Sequence, residues 1–464
     1  MKVLGFFFSL CFLGISAKSF YNLTAVSIDL LKIKGKDDKP FGPPRYSNDE
    51  MAMGTSFVYT YLSNHLEPDS SERLFLTVSN PSDGAASITI TSPFNGFTTI
   101  MRTVPAHQSL PINIVPTNIQ ADYDNNLLRN YTIDNRSIFV TSNVSVKLVA
   151  TNQASDGSSE DKFAVLPICQ LGFEYIVIAD EAPRKNISTV NIFSVIAMED
   201  NTQVRIGYLL INENLSKGQV LTYATDYAVS GFDIKSNKKI AVITGSMCGF
   251  GFSNPQHCSH EATMEYPTND WDTEYPHYKF NYEDASEVMV FFLQDNTSIT
   301  IDDYTIPVLY SSDQFVIFGI NTGIYISADK PIYAMMVGSV NIQSDGAPFL
   351  VNLVGKNHMT SGPVVFATGM NSDEGLNMKH FARVITTLDF TGYISVNGYT
   401  PNPILYRRMG KSDYYFIDVQ VTAGQQVVQT TDAGATFGVI AYGYGFFRSY
   451  AFNPGLNLQT DGAC

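Results

Sequence analysis

Cysteine and tryptophan are scarce in this chain: five cysteines and a single tryptophan in 464 residues. A small disulfide-dense scaffold is thereby excluded, and a large hydrophobic core must carry the fold. Basic residues are also in deficit, 29 against 44 acidic ones, for a net charge of −15. Nucleic acid and anionic membrane surfaces select basic patches, so neither is an expected partner. The acidic residues are dispersed rather than gathered in a run, and they serve solubility. Beyond residue 15 no stretch approaches eighteen uninterrupted apolar residues, so no candidate membrane-spanning helix follows. Also missing are a phosphate-binding glycine loop, a Gly-x-Ser-x-Gly elbow and any sustained helical period with caps.

What is present begins with Met1-Lys2, an apolar run over residues 3–15, and then Ser16-Ala17. That layout is a secretory signal peptide, 1–17, with cleavage expected after Ala17. Residues 18–54 read as a flexible leader, 55–457 as the folded all-β repeat domain and 458–464 as a C-terminal tail without the hydrophobic stretch of a lipid anchor. Asn-x-Ser/Thr sequons occur at Asn22, Asn130, Asn135, Asn143, Asn186, Asn214 and Asn296. In an exported chain they mark surface glycosylation sites. The expected molecule is a secreted, extracellular glycoprotein.

The chain repeats itself. "IFVTSNVSVKLVATN", "FDIKSNKKIAVITGS" and "IYISADKPIYAMMVG" each show an alternating run, a polar break and a second alternating run, the pattern of a hairpin. Their break serines, Ser142, Ser236 and Ser327, stand 94 and 91 residues apart, and "VQVTAGQQVVQTT" adds Thr422 as a degenerate fourth copy. Asp200-Asn201-Thr202, Asp295-Asn296-Thr297 and Asp389-Phe390-Thr391 keep the same beat. Asx side chains bond their own backbone, so these triplets read as tight turns, without the closely alternating oxygens of a calcium loop. The N-terminal segment resembles the second half of a unit and the segment from Tyr414 a first half. Period-two alternation with β-branched residues points to an all-β fold. The expectation is four circularly offset repeats of about 94 residues in a β-propeller-like closed ring, with tandem β-sandwiches as the alternative.

The densest reactive stretch is His257-Cys258-Ser259-His260-Glu261. A zinc peptidase needs His-Glu-x-x-His or His-x-x-Glu-His on a helix, and neither spacing is met. Cys248 lies ten residues before Cys258, and in an oxidising compartment a disulfide is the natural fate of that pair. The stretch therefore reads as a stapled loop. Neither a metal nor a cofactor is expected. Cys464 could pair with Cys169, stay free or bridge to another chain. Adjacent carboxylates (Glu199-Asp200, Glu283-Asp284, Asp302-Asp303, Asp373-Glu374) leave a carbohydrate-active enzyme as the rival reading, since glycosidases use two carboxylates across a cleft. His380 and Arg383 read as surface positions.

"SNKKIAVITGSMCGF…CSHEATMEYPTNDWDTEY" resembles the N-terminal domain of IgG Fc-binding proteins. Cys258, His260, Glu265, Pro267 and Trp271 fall on that family's pattern, with Ser259 in place of its usual aspartate. "LPICQLGFEYIV" and the closing "YGYGFFRSYAFNPG" agree, and the resemblance spans roughly residues 55–457. It implies a secreted, non-catalytic module that binds extracellular protein or glycoprotein partners through loops. The segment 248–271, with His257, His260, Glu261 and Trp271, is the expected binding patch. A lectin, or a structural component of a matrix or of mucus, is the further alternative.

Overall fold

A computed structural model describes residues 53–65, 70–121, 130–179, 190–250, 258–307, 314–339, 346–369, 378–445, 448–460 and 464. The expected signal peptide, nearly all of the leader, Asn22, Asn186, His257 and Asp373-Glu374 lie outside these residues. Regular structure among the described residues consists of β-strands and one-turn 3-10 helices, so the all-β expectation holds.

The strands follow one another in four groups. The first contains β1 (Gly54–Tyr59), β2 (Glu72–Asn80), β3 (Ala86–Thr91), β4 (Ile100–Val104), β5 (Gln108–Ile114), β6 (Asn130–Asp134, hydrogen-bonded into the sheet of the second group), β7 (Ile138–Ala154) and β8 (Glu160–Val165). The second contains β9 (Gly172–Ile176), β10 (Asn191–Ala197), β11 (Thr202–Ile206), β12 (Ile211–Leu215), β13 (Val220–Thr225), β14 (Asp233–Gly249) and β15 (Ser259–Met264). The third contains β16 (Asp272–His277), β17 (Ser286–Phe292), β18 (Ser298–Ile301), β19 (Tyr304–Pro307), β20 (Gln314–Ile320), β21 (Ile324–Val337) and β22 (Leu350–Asn352). The last contains β23 (Val364–Thr368), β24 (Lys379–Thr387), β25 (Ile394–Val396), β26 (Arg407–Arg408), β27 (Tyr414–Val421), β28 (Gly424–Thr430), β29 (Phe437–Gly445) and β30 (Arg448–Gly455).

One pairing scheme organises the first three groups. A long strand (β7, β14 or β21) pairs along its first half with the first and third strands of its group. Along its second half it pairs with the second and last strands. The long strand therefore belongs to two half-sheets that face each other. In the second group Tyr175, Val204, Ile206 and Ile234 from one half-sheet meet Phe193, Val195, Tyr223 and Val242 from the other in a single buried core. That is a β-sandwich, the alternative rather than the propeller blade. The polar breaks at Ser142, Ser236 and Ser327 are thus bends inside one strand, where it changes partners, and not hairpin turns.

In the last group the long strand is cut in two. β28 pairs with β23 and β25, while β29 pairs with β24 and β30, and the interruption falls at residues 431–436. Thr422 instead marks the turn from β27 to β28, so the degenerate fourth copy is out of register with the others. The pairing scheme is already complete from β1 onward, and the expected circular offset does not exist at the level of strands.

The groups nevertheless close on one another. β8 packs on β15 and β30, and β22 packs on the same two strands. Side chains stitch each junction. Asp161 Oδ2 accepts from the Ala262 N–H at 2.8 Å, Asn352 Nδ2 donates to the Met264 carbonyl at 3.1 Å and Asn453 Nδ2 to the Asn352 carbonyl at 2.6 Å. Lys147 Nζ completes the cycle by donating to the Pro454 carbonyl at 2.6 Å. Between these strands is a cavity of about 10 Å³ whose lining includes Leu166, Met264, Tyr266, Asn352 and Phe452. A space of about that size holds roughly one water. The ends of the domain meet as well: Thr55 donates through N and Oγ1 to the Cys464 carbonyl at 2.8 and 2.9 Å. Yet β1 and β30 lie in different sheets, so closure comes from individual hydrogen bonds and a disulfide rather than from a shared sheet.

Candidate functional site

Cys248 is the penultimate residue of β14 and Cys258 directly precedes β15. Antiparallel pairing sets Gly249 opposite Ser259 and so brings the cysteines together. Disulfides join Cys248 to Cys258 and Cys169 to Cys464.

The pentapeptide is not a loop from Ser259 onward. Ser259, His260 and Glu261 open β15, every residue of which is buried. One face of β15 meets its own sandwich and the other meets β8. A strand buried on both faces has no polar alternation, which is why the sequence does not read as a strand. His260 is fully buried, and burial pushes its imidazole down to about 3 against a backbone bond to Ser246 that acts the other way. The His260 backbone N–H donates to Ser159 Oγ at 2.8 Å. Trp271 is also buried and stacks on Tyr333, ring centroids 5.4 Å apart and 18° from parallel. His260, Glu261 and Trp271 are therefore buried in the framework, while His257 and residues 251–257 of the expected binding patch lie outside the described residues.

The pattern residues have a different role. Glu265 accepts from the Ile178 N–H at 2.9 Å and from the Tyr333 hydroxyl at 3.0 Å, tying the second strand group to the third. Burial raises its carboxyl to about 8, so it is held as the neutral acid near neutral pH. Trp271 follows the 3-10 turn Thr268–Asp270, and His358 Nε2 bonds the Asp270 carbonyl at 2.7 Å. Tyr175 and Tyr275, one hundred residues apart, make the same latch. Each accepts from the N–H three residues earlier and donates to a carbonyl of the long strand, Ile240 at 2.8 Å and Ile332 at 2.9 Å. The repeated "EY" dipeptides at 174–175 and 274–275 carry this signal in the sequence.

Reactive groups elsewhere are also committed to the framework. His380 and Arg383, expected on the surface, are both buried. Arg383 forms a two-point pair with Asp418 at 2.8 and 2.9 Å, between the rings of Phe280 and Phe416, each centroid 4.5 Å from its Cζ. Glu160 pairs with Lys162 at 2.7 Å and with Arg448; burial opposes its charge, but the two cations hold the carboxyl below its usual range. A Ser–His contact exists between Ser286 Oγ and His277 Nε2, 2.8 Å. Burial, with Arg383 adding to it, lowers His277 to about 3, too weak a base for general-base work near neutral pH.

The carboxylate pairs are separated in role. Glu199 is exposed beside Lys238, while Glu283 is buried and accepts from the Phe280 and Ser339 N–H groups. Asp302 caps the Lys411 N–H at 2.7 Å and Asp303 faces the Lys411 ammonium. The Asp-Asn-Thr triplets are turns: Asn201 and Asn296 adopt φ of 59° and 58°, and Thr202 Oγ1 closes onto the Glu199 carbonyl at 2.7 Å.

What reaches the surface is different in kind. Asn130, Asn135, Asn143, Asn214 and Asn296 are all exposed. Beyond Asn296 the chain has no sequon, and five of the twelve exposed large apolar side chains among the described residues, Leu388, Tyr393, Tyr399, Ile404 and Leu405, fall within residues 388–405. Among the described residues no helix is long and apolar enough to cross a membrane, which says nothing of a β-barrel. A family model described as IgGFc binding protein matches residues 161–443, more than half of the chain. A search of curated proteins finds no match.

Proposed function

Since this chain belongs to the IgGFc-binding protein family, we propose that it is a secreted, N-glycosylated, non-catalytic protein that binds extracellular protein or glycoprotein partners. The family match carries this reading. Support comes from the exposure of every described sequon asparagine, from two disulfides and from the structural employment of the buried His, Glu and Asp side chains. The binding surface is proposed at residues 388–405, where apolar side chains stand exposed on a stretch of chain that carries no sequon. Ile404 is 79% exposed and Tyr399 37%. Exposed apolar clusters on a glycoprotein are where partners dock.

The test immobilises the mature glycosylated chain and passes over it immunoglobulin Fc, then whole secretions with and without enzymatic deglycosylation. A discrete partner retained by the native chain and released by Ile404→Ser and Tyr399→Ser supports the proposal. Retention lost only after glycan removal makes the protein a lectin. Retention of nothing but the chain itself makes it a structural component, and turnover of a glycan would overturn the non-catalytic reading.

A further inference from the structure

The disulfide at the start of β15 has a third neighbour that the sequence hides. The His65 N–H donates to the Met247 carbonyl at 3.1 Å, so a residue 183 positions before Cys248 is anchored beside the end of β14. One ligand atom each from His65, Cys248 and Cys258 lies within 4.8 Å of the others. Ligand atoms around a tetrahedral zinc stand roughly 3.5–4 Å apart, given Zn–S of about 2.3 Å and Zn–N of about 2.0 Å.

Strand pairing brings the two cysteines side by side, with a register irregularity between Ser246 and Gly249 at Cys248. β14 and β15 pair from Ile243–Met264 to Gly249–Ser259. Cys248 is buried, Cys258 half-buried and His65 exposed, so the corner is walled on one side and open to solvent on the other. His260 points its ring into the buried interior instead and is no part of this cluster.

We propose that reduction of Cys248–Cys258 by a small-molecule thiol converts this corner into a Cys-Cys-His site for a soft divalent metal ion such as zinc, with water in the fourth position. Reduction is thiol–disulfide exchange: two thiol molecules are oxidised to their disulfide, the Cys248–Cys258 bond breaks and each sulfur takes a proton. Metal entry then displaces those two protons, because the ligands are thiolates. The bonded cystine offers no thiolate, so the oxidised protein lacks the site. Metal binding and an intact disulfide exclude each other.

The experiment uses the full mature chain, reduced with excess thiol that is then removed without oxygen, and Co²⁺ as a spectroscopic stand-in for Zn²⁺. The expected result is one equivalent of Co²⁺ with thiolate charge-transfer and tetrahedral ligand-field bands, displaced by Zn²⁺, with two protons released per metal by calorimetry in two buffers. The oxidised chain and Cys258→Ser should show no such bands. His65→Ala should weaken binding by at least about tenfold, since even outer-shell partners of metal ligands contribute that much. The melting temperature of His65→Ala, measured beside the native chain, separates loss of a ligand from loss of fold. Absence of the bands in the reduced chain, their persistence in Cys258→Ser or in the oxidised chain, or an unchanged affinity in His65→Ala would overturn the proposal.

Discussion

Glu265 is a motif residue whose work is internal. Its carboxyl is moved by burial from 4.5 to about 8 while it accepts from Ile178 N–H and the Tyr333 hydroxyl. The folded chain therefore keeps a proton that the unfolded chain releases. Its stabilisation is complete below pH 4.5, shrinks as pH rises and is gone above about 8. Glu265→Gln imitates the neutral acid and should match the native stability near pH 5. Between pH 5 and 7.5 it should escape a loss of about 1 kcal/mol per pH unit, read from urea unfolding at several pH values. Equal pH slopes for both chains would mean that Glu265 is ionised in the fold. Arg383 is the companion case, a cation wholly buried against Asp418. Arg383→Leu leaves that carboxylate only the half-exposed Arg407, 3.7 Å away, and should destabilise by about 3–5 kcal/mol, much of it recovered by adding Asp418→Leu. A chemical-denaturation double-mutant cycle checks both. The Cys248–Cys258 pair was legible because ten residues separate the partners; His65 was not, because nothing in local sequence marks a neighbour 183 residues away.

At the scale of elements, alternation identified strands and turn chemistry identified the Asp-Asn-Thr turns. β11 reads Thr202-Gln-Val-Arg-Ile206 and alternates buried and exposed along its length. The turn before it holds Asn201 at φ 59°, a conformation that costs an L residue roughly 1–2 kcal/mol and a β-branched one at least as much. Asn201→Val should lower stability by about that amount, while Asn201→Gly should be close to neutral; urea midpoints decide. Whether a polar break inside an alternating run is a turn or a bend was not legible. β14 stays one strand through Ser236-Asn237-Lys238-Lys239 because β9 and β11 hold one half while β10 and β15 hold the other. Those partners come from elsewhere in the chain. β15 escaped for the opposite reason, since burial on both faces removed its alternation.

At the scale of the whole molecule, Cys169–Cys464 ties the start of the second strand group to the last described residue across 295 positions. In the chain-entropy picture a cross-link of that span limits the unfolded chain by roughly 6 kcal/mol, against roughly 3 for the ten-residue span of Cys248–Cys258. Cys464→Ser should therefore lower the melting temperature more than Cys258→Ser. It should also raise amide exchange in β1, whose Thr55 bonds the Cys464 carbonyl. The reverse order would mean that the stitches at Asp161, Lys147, Asn352 and Asn453 close the domain without help from the covalent link.

The sequence by itself determined the strand content, the recurrence near 94 residues, the turns and the family, because each is written in residues close together along the chain. It also marked Cys258, His260, Glu265, Pro267 and Trp271 as a pattern. Only the tertiary structure decided what that pattern does. Burial and the packing of β15 on β8 come from segments about one hundred residues apart, and they turn Ser259, His260 and Glu261 of a reactive-looking pentapeptide into framework. The same distance hid the sandwich from the repeat: two half-sheets share one strand only when partners from both sides are in place.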